Sequence, residues 1–215
     1  MANLLGKLLT RSFPGKSETA FAPLGVDPKE VKEEKARGYE SRAFALWADQ
    51  FEQLEEAGRR VLDLGRMNST SFQYLSQLSA GVGVMDLNVE LTGTAFQMQL
   101  TEHADWGPFH GVLAWDRLNY LGADELALLG DWLEERTQPG ALLFACLATR
   151  TPYATRPANY RIEDARTLSV AQEDGGQERT RRHTPSMLKR ALSAFTSSRS
   201  FLLRDGMQEH VLVRN

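Results

Sequence analysis

The chain has 215 residues, 42% hydrophobic and 25% charged, which is ordinary globular composition and enough length for one domain with a full core. A net charge of −3 gives no reason to expect nucleic acid as a partner, and the single cysteine, Cys146, excludes an intramolecular disulfide or a multi-cysteine zinc site. No apolar run approaches the ~20 residues that span a bilayer, and His103, His110, His183 and His210 lack metal-ligand spacing, so no bound metal is expected.

Residues 1–38 stand apart. Leu4, Leu5, Leu8 and Leu9 fall on one side of a short predicted helix, with Lys7 and Arg11 beside them. A secretory signal needs a longer apolar core and a small-residue cleavage site. The segment reads instead as a helix that packs on the domain, or docks on a partner protein or a membrane surface. Pro14-Gly15 and Pro23-Leu24-Gly25 break the chain, and Asp27 to Arg37 is a mixed-charge linker. The predicted organisation is an N-terminal helix and linker over 1–38 and one α/β domain over 39–215.

Within the domain, Phe44, Trp47, Ala48, Phe51 and Leu54 repeat at helical spacing from Ser41, and Gly58 can end that helix. Val61, Leu62 and Leu64 form a short apolar run, as a strand buried on both faces requires. Asp63 lies near its end and Gly65 where the chain must turn. Ser69 or Thr70 can then cap a helix whose apolar face is Phe72, Leu75 and Leu78. Strand, turn and helix in that order put Asp63 beside the crevice where open parallel sheets bind ligands. An acid there can bind hydroxyls or an amine, and the free N–H groups of the new helix can bind a carboxylate or phosphate.

Gly81 to Met85 predicts the next strand, with Asp86 at its tip. Asp86 follows the turn by about the twenty residues that separate a glycine turn from a ribose-binding acid in dinucleotide folds. It is equally readable as a cap before Asn88. Phe96, Met98 and Leu100 alternate with Gln97 and Gln99, which predicts a half-exposed strand followed by the loop Glu102 to Asp105. Val112 to Trp115 predicts a strand with Asp116, Asn119 and Tyr120 at its carboxyl end, facing the same crevice as Asp63. A helix over 123–136, a turn over Thr137 to Gly140 and an apolar strand over 141–147 follow.

Residues 150–183 form a polar excursion in which Tyr160 to Asp164 and Thr167 to Val170 can pair as strands. Arg179, Arg181, Arg182, His183, Lys189 and Arg190 make a basic cluster, either a solvated face or an attractor of an acidic partner. Thr184-Pro185 starts a helix with Met187, Leu188, Ala191, Leu192 and Phe195 on one stripe. Phe201 to Arg214 reads as a hairpin turning at Asp205-Gly206. The predicted fold class is α/β: a doubly wound, mostly parallel sheet closed by a C-terminal antiparallel hairpin.

Two of these stretches resemble motifs of the class I S-adenosylmethionine (SAM)-dependent methyltransferases. Arg60 to Phe72 resembles motif I, a hydrophobic strand followed by acid-x-Gly-x-Gly-x-Gly. Asp63 and Gly65 hold the acid and first-glycine positions, while Met67 and Ser69 replace the next two glycines. Phe109 to Tyr120 resembles motif IV, with His110 where an aspartate is usual. The Pro-Gly turn before an Ala-Leu-Leu strand and the closing hairpin are further traits, and the similarity covers about residues 40–214. The chain is similar to a bacterial group of small class I methyltransferases whose motif I is itself glycine-poor.

That resemblance implies a Rossmann-like fold, a cytoplasmic enzyme, SAM as cofactor and a small-molecule or protein methyl acceptor. It implies cofactor contacts by Asp63 and Gly65, by Asp86 to both ribose hydroxyls, by Asp105 to the exocyclic amine of adenine, and by Trp115 to the adenine or methionine part. Asp116, Asn119 and Tyr120 would face the acceptor. Methyl transfer is an in-line displacement that rests mostly on positioning, with a base needed only if the nucleophile must lose a proton. Asp116 and Tyr120 are the candidates for that base.

A second expectation is a methyltransferase-like scaffold that has lost the cofactor. Glycines let the backbone approach a ligand closely, and Arg66, Met67 and Asn68 bring side chains into that space. Met67 can fill the methionine pocket and Arg66 can pair with Asp63. Another nucleotide-binding role is a third. Hydride transfer to a nicotinamide is disfavoured by the missing Gly-x-Gly-x-x-Gly and by the closing hairpin, and no elbow motif supports a serine nucleophile.

Overall fold

Apolar strands covered on both faces carry the fold. The computed structural model describes residues 36–54, 58–172 and 182–215. The expectations for the amphipathic segment at the N-terminus, and for Arg179 and Arg181, lie outside the described residues. Those described belong to one compact unit that starts at residue 33. In chain order they form β1 (Arg37–Glu40), α1 (Arg42–Glu52), β2 (Arg60–Asp63), α2 (Ser69–Leu78), β3 (Gly81–Val84), α3 (Gly93–Thr101) and β4 (Phe109–Trp115). A 3₁₀ turn (Arg117–Tyr120) leads to α4 (Ala123–Arg136), β5 (Thr137–Ala148), β6 (Asn159–Ile162), β7 (Thr167–Ala171), α5 (Pro185–Ala191), β8 (Phe195–Leu202) and β9 (Met207–Arg214).

Six strands make the main sheet, in the order β3-β2-β4-β5-β9-β8. The first four run parallel, and β9 is antiparallel to both β5 and β8. The pleat sorts side chains to two faces with period two. Leu62, Leu64, Val112, Ala114, Leu143 and Ala145 enter one core cluster with α3 and α4; Val61, Leu113, Trp115, Leu142, Phe144 and Cys146 enter the other with α1. Being covered on both faces is why these strands read as continuous apolar runs. Helix α1 begins where Ser41 accepts the Phe44 amide at 2.9 Å and buries Phe44, Trp47, Ala48 and Phe51. Gly206 turns the closing hairpin at φ 87°.

The remaining strands form a small antiparallel sheet in the order β1-β7-β6. Its last two strands are the predicted pair within the polar excursion. The first was not foreseen, and the boundary expected between residues 38 and 39 falls inside β1. Tyr39 of β1 donates to Glu209 of β9 at 3.0 Å, tying the small sheet to the large one.

Five local expectations are corrected. Phe96, Met98 and Leu100 lie on helix α3, not on a strand: Phe96 and Leu100, four apart, are buried, and Met98 is 60% exposed. The cap of α2 is Asn68, whose side chain accepts the Ser71 amide at 2.9 Å, and Phe72 turns outward at 49% exposure. Thr137 to Gly140, expected as a turn, already belong to β5, and Phe195 opens β8 instead of closing a helix.

Candidate functional site at the strand ends

The carboxyl ends of β2, β3 and β4 bring Asp63, Asp86 and Asp116 to one edge of the sheet, around the guanidinium of Arg117. Arg117 follows Asp116 directly and lies 3.3 Å from Asp86, and its charge offsets part of the burial that raises the pKa of both Asp63 and Asp116. Asp105 is not part of this group. Because α3 is a helix, Asp105 falls in the turn that enters β4, at the amino edge of the sheet, away from the other three acids.

Between β2 and β4 the edge is sealed. Asp63 is 2% exposed, and its Oδ1 accepts the Gly65 amide at 2.6 Å and the Trp115 indole N–H at 2.7 Å. Burial lifts its pKa to about 6 against the pull of those two bonds. The indole lies so close over Gly65 that a Cβ there would meet Trp115 Cδ1 at 2.5 Å and Nε1 at 2.7 Å. Glycine is required at this position by side-chain packing from within the protein. Trp115 has φ 51°, the one non-glycine residue with positive φ among the described residues. Such a backbone persists only where its surroundings hold it. Here Asp63 holds its edge, Tyr160 of β6 stacks on it at 5.0 Å and 15°, and Phe144 meets it edge-on at 5.7 Å.

The small sheet completes the seal. The Asn68 side chain donates to the Tyr160 carbonyl at 3.0 Å, the Ile162 amide donates to Ser71 Oγ at 2.9 Å, and the Ala158 amide donates to Asp116 Oδ2 at 2.9 Å. Asp116 is therefore buried at 3% exposure, with its pKa raised to about 6 by burial and its Oδ1 without a hydrogen-bond partner. Asn119 donates to the Asp116 and Cys146 carbonyls and accepts the Ala148 amide, so its amide holds backbone. Tyr120, 5% exposed, reaches Asp116 Oδ2 at 3.5 Å. All three residues expected to face the acceptor lie beneath the surface.

Beyond β3 the edge is open. A cleft of about 480 Å³ is lined by Arg66, by Asp86 to Glu90, by Arg117, and by Arg156, Pro157 and Asn159. The Asp86 side chain is 60% exposed into it, while that of Arg117 is 10% exposed. A smaller recess of about 230 Å³ adjoins it through Arg66 and Asn159 and includes Met67, Asn68, Tyr160 and Arg161. Sequence reasoning did not single out Arg117, Arg156 or Tyr160. Arg117 carried a usable signal, a cation next to the strand-end acid. Tyr160 carried none, because its partner is 45 positions away in the chain and only the fold joins them.

Compared by sequence, the chain matches no protein-family model and no curated protein. Compared by structure, it resembles several methyltransferases. An amino pentose methyltransferase from Micromonospora echinaspora, solved with SAM bound, is 14% identical, aligned over 80% of this chain and 90% of that one at a TM-score of 0.40. The N-methyltransferase NodS from Bradyrhizobium japonicum is 12% identical over 80% of this chain and 93% of its own, at 0.45. The magnesium protoporphyrin IX methyltransferase from Synechocystis, also with SAM bound, is 16% identical over 80% and 76%, at 0.45. These likenesses concern the fold alone. The topology stands without them: four parallel strands, helices on both faces and a closing antiparallel hairpin make a Rossmann-like, mostly parallel α/β sheet. No helix among the described residues is long and apolar enough to cross a membrane.

Proposed function

We propose that the chain is a cytoplasmic SAM-dependent methyltransferase of a small-molecule or protein acceptor, with the adenosine of SAM in the Asp86 cleft. One observation carries the reading: of the three acids at the strand ends, Asp86 alone reaches solvent, at the tip of the strand beside β2 and at the mouth of a cleft of about 480 Å³. Its two carboxylate oxygens can accept from both ribose hydroxyls, and Arg117 at 3.3 Å fixes their orientation. When bound, SAM would supply an electrophilic methyl group to the acceptor, with its sulfur as the leaving group, and Asp86 and Arg117 would hold its ribose. The residues of this chain then hold and orient, as an in-line displacement with a good leaving group requires.

A second reading, a scaffold that no longer binds the cofactor, is favoured by the indole of Trp115 over Gly65. A ligand brought beside Gly65 would meet the Trp115 indole, on which Tyr160 stacks. Calorimetric titration with SAM and S-adenosylhomocysteine, on the wild type and on Asp86→Ala, separates the two. Micromolar binding that Asp86→Ala weakens at least tenfold supports the enzyme. No binding by the folded protein sinks it in favour of the scaffold.

A further inference from the structure

The segment that enters β6 hangs between two cavities. On one side lies the cleft beyond β3, which Pro157 and Asn159 help to line. On the other lies the recess of about 230 Å³, between Met67 and Asn68 of the turn after β2 and Tyr160 and Arg161 of β6. In its own sheet β6 pairs only with β7. Its free edge meets the strand ends through separate point contacts instead of a ladder. The Asn68 side chain donates to the Tyr160 carbonyl, Ser71 Oγ accepts the Ile162 amide, Asp116 Oδ2 accepts the Ala158 amide, and the Tyr160 ring stacks on Trp115. The opposite edge of the small sheet is held differently. Strand β1 runs through Ser41 directly into α1, whose Phe44, Trp47 and Phe51 are fully buried, and Tyr39 donates to the fully buried Glu209. One edge is thus built into the core and the other is clasped to it. Ile162 and Leu168 are also fully buried, which keeps the clasped state dominant.

We infer that the β6 edge is a cover that opens about the β1 edge, and that Tyr160 and the Trp115 indole beneath it plug the space beside Gly65 until it opens. The indole stands where it leaves no room for even a Cβ on Gly65, and its backbone at φ 51° is a conformation that its surroundings impose. A segment fastened by a few point contacts is the kind that opens locally while the core stays folded. Resting on the SAM reading above, the plug and the cofactor exclude each other at Gly65. Binding then draws on the minor population whose cover is open, and the apparent affinity falls by that fraction.

The test uses the full chain. Ser71→Ala removes the acceptor of the Ile162 amide and leaves the bond between Ala158 and Asp116 untouched. Tyr160→Ala removes the ring of the plug, and Tyr160→Phe keeps it as the control; thermal melts verify that each folds. Hydrogen exchange is followed amide by amide by NMR. If the edge opens as one unit, the Ala158 amide exchanges faster in Ser71→Ala by about tenfold or more, while the amides of β5 and β9 keep their rates. An unchanged Ala158 rate, or a rise shared by β5 and β9, overturns the cover. In calorimetric titration, S-adenosylhomocysteine should bind Tyr160→Ala more tightly than the wild type by about tenfold or more, and Tyr160→Phe as the wild type does. Ser71→Ala shifts that affinity in the same direction, so it carries the binding arm if Tyr160→Ala does not fold. Equal or weaker binding by both variants overturns the plug. A faster Ala158 amide in Ser71→Ala, with no S-adenosylhomocysteine binding by the wild type or either variant, retires the cofactor reading and upholds the cover.

Discussion

Two neighbouring stretches of the same sheet edge meet water in opposite ways. At the ends of β2 and β4, Asp63, Trp115 and Asp116 are 2–3% exposed and bonded to one another, to Gly65 or to the small sheet. At the end of β3, one strand over, the Asp86 side chain is 60% exposed. The difference shows that residue type and strand position alone do not make a site. Asp116 and Tyr120 have the chemistry of a base, yet they serve as anchors for the segment that covers them. Asp86 has ordinary turn chemistry, yet it alone of the three acids faces a space a ligand can enter.

The comparison can be broken most forcefully through the indole. Trp115→Ala removes the plate between Gly65 and Tyr160 and should cost about 3–5 kcal/mol in urea unfolding, the usual range for a buried large aromatic. A loss below ~1 kcal/mol would mean the crevice is not closed by this side chain. The next effect is on pH dependence. Asp63 and Asp116 have folded pKa values of about 6, above the ordinary 3.8, so the folded state binds more protons than the unfolded chain between those values. Stability should therefore be greatest at the acid end of that window and fall as pH rises from about 4 to about 6, by roughly 2–3 kcal/mol for each acid. Asp63→Asn keeps an acceptor for Gly65 and Trp115 and should flatten the profile; an unchanged profile would show that Asp63 is ionised without penalty.

Smaller effects sharpen the contrast. Gly65→Ala forces a methyl into the indole and should destabilise by about 1–3 kcal/mol, as overpacking does. If Gly65→Ala is neutral, the indole yields easily and the sealed side is soft. Asp86→Ala should change stability by about 1 kcal/mol or less, because the Asp86 side of its pair with Arg117 is open to water. Its effect belongs to binding, at least tenfold on S-adenosylhomocysteine. A large loss of stability in Asp86→Ala would make the open side as structural as the sealed one.

Much of the fold was legible because buried parallel strands leave an apolar signature. Val61 to Leu64, Val112 to Trp115 and Ala141 to Leu147 were readable as strands, and the Asp205-Gly206 turn as a hairpin. The error at Phe96, Met98 and Leu100 arose because buried residues four apart, with one exposed methionine between them, also satisfy an alternating pattern. Asp105, assigned to the adenine by the family resemblance alone, stands in the turn that enters β4, at the amino edge of the sheet. The small sheet was half legible: β6 and β7 were readable as a pair, but β1 is four residues of mixed polarity whose partner lies far along the chain. The positions of Asp63, Asp86 and Asp116 at strand ends followed from the pattern. Which of them would be covered did not, since that depends on Tyr160 and Ala158 arriving from the polar excursion.

The lone thiol gives the sealed side a clock. Cys146 sits on β5 in the same core cluster as Trp115, is fully buried, and burial pushes its pKa well up. Only the thiolate attacks a disulfide reagent, so labelling of Cys146 must wait for the layer above it to part. The labelling rate then measures the free energy of that local opening in the unmodified protein. Repeated with a ligand filling the cleft beyond β3, it tells whether occupying the open side loosens the closed one.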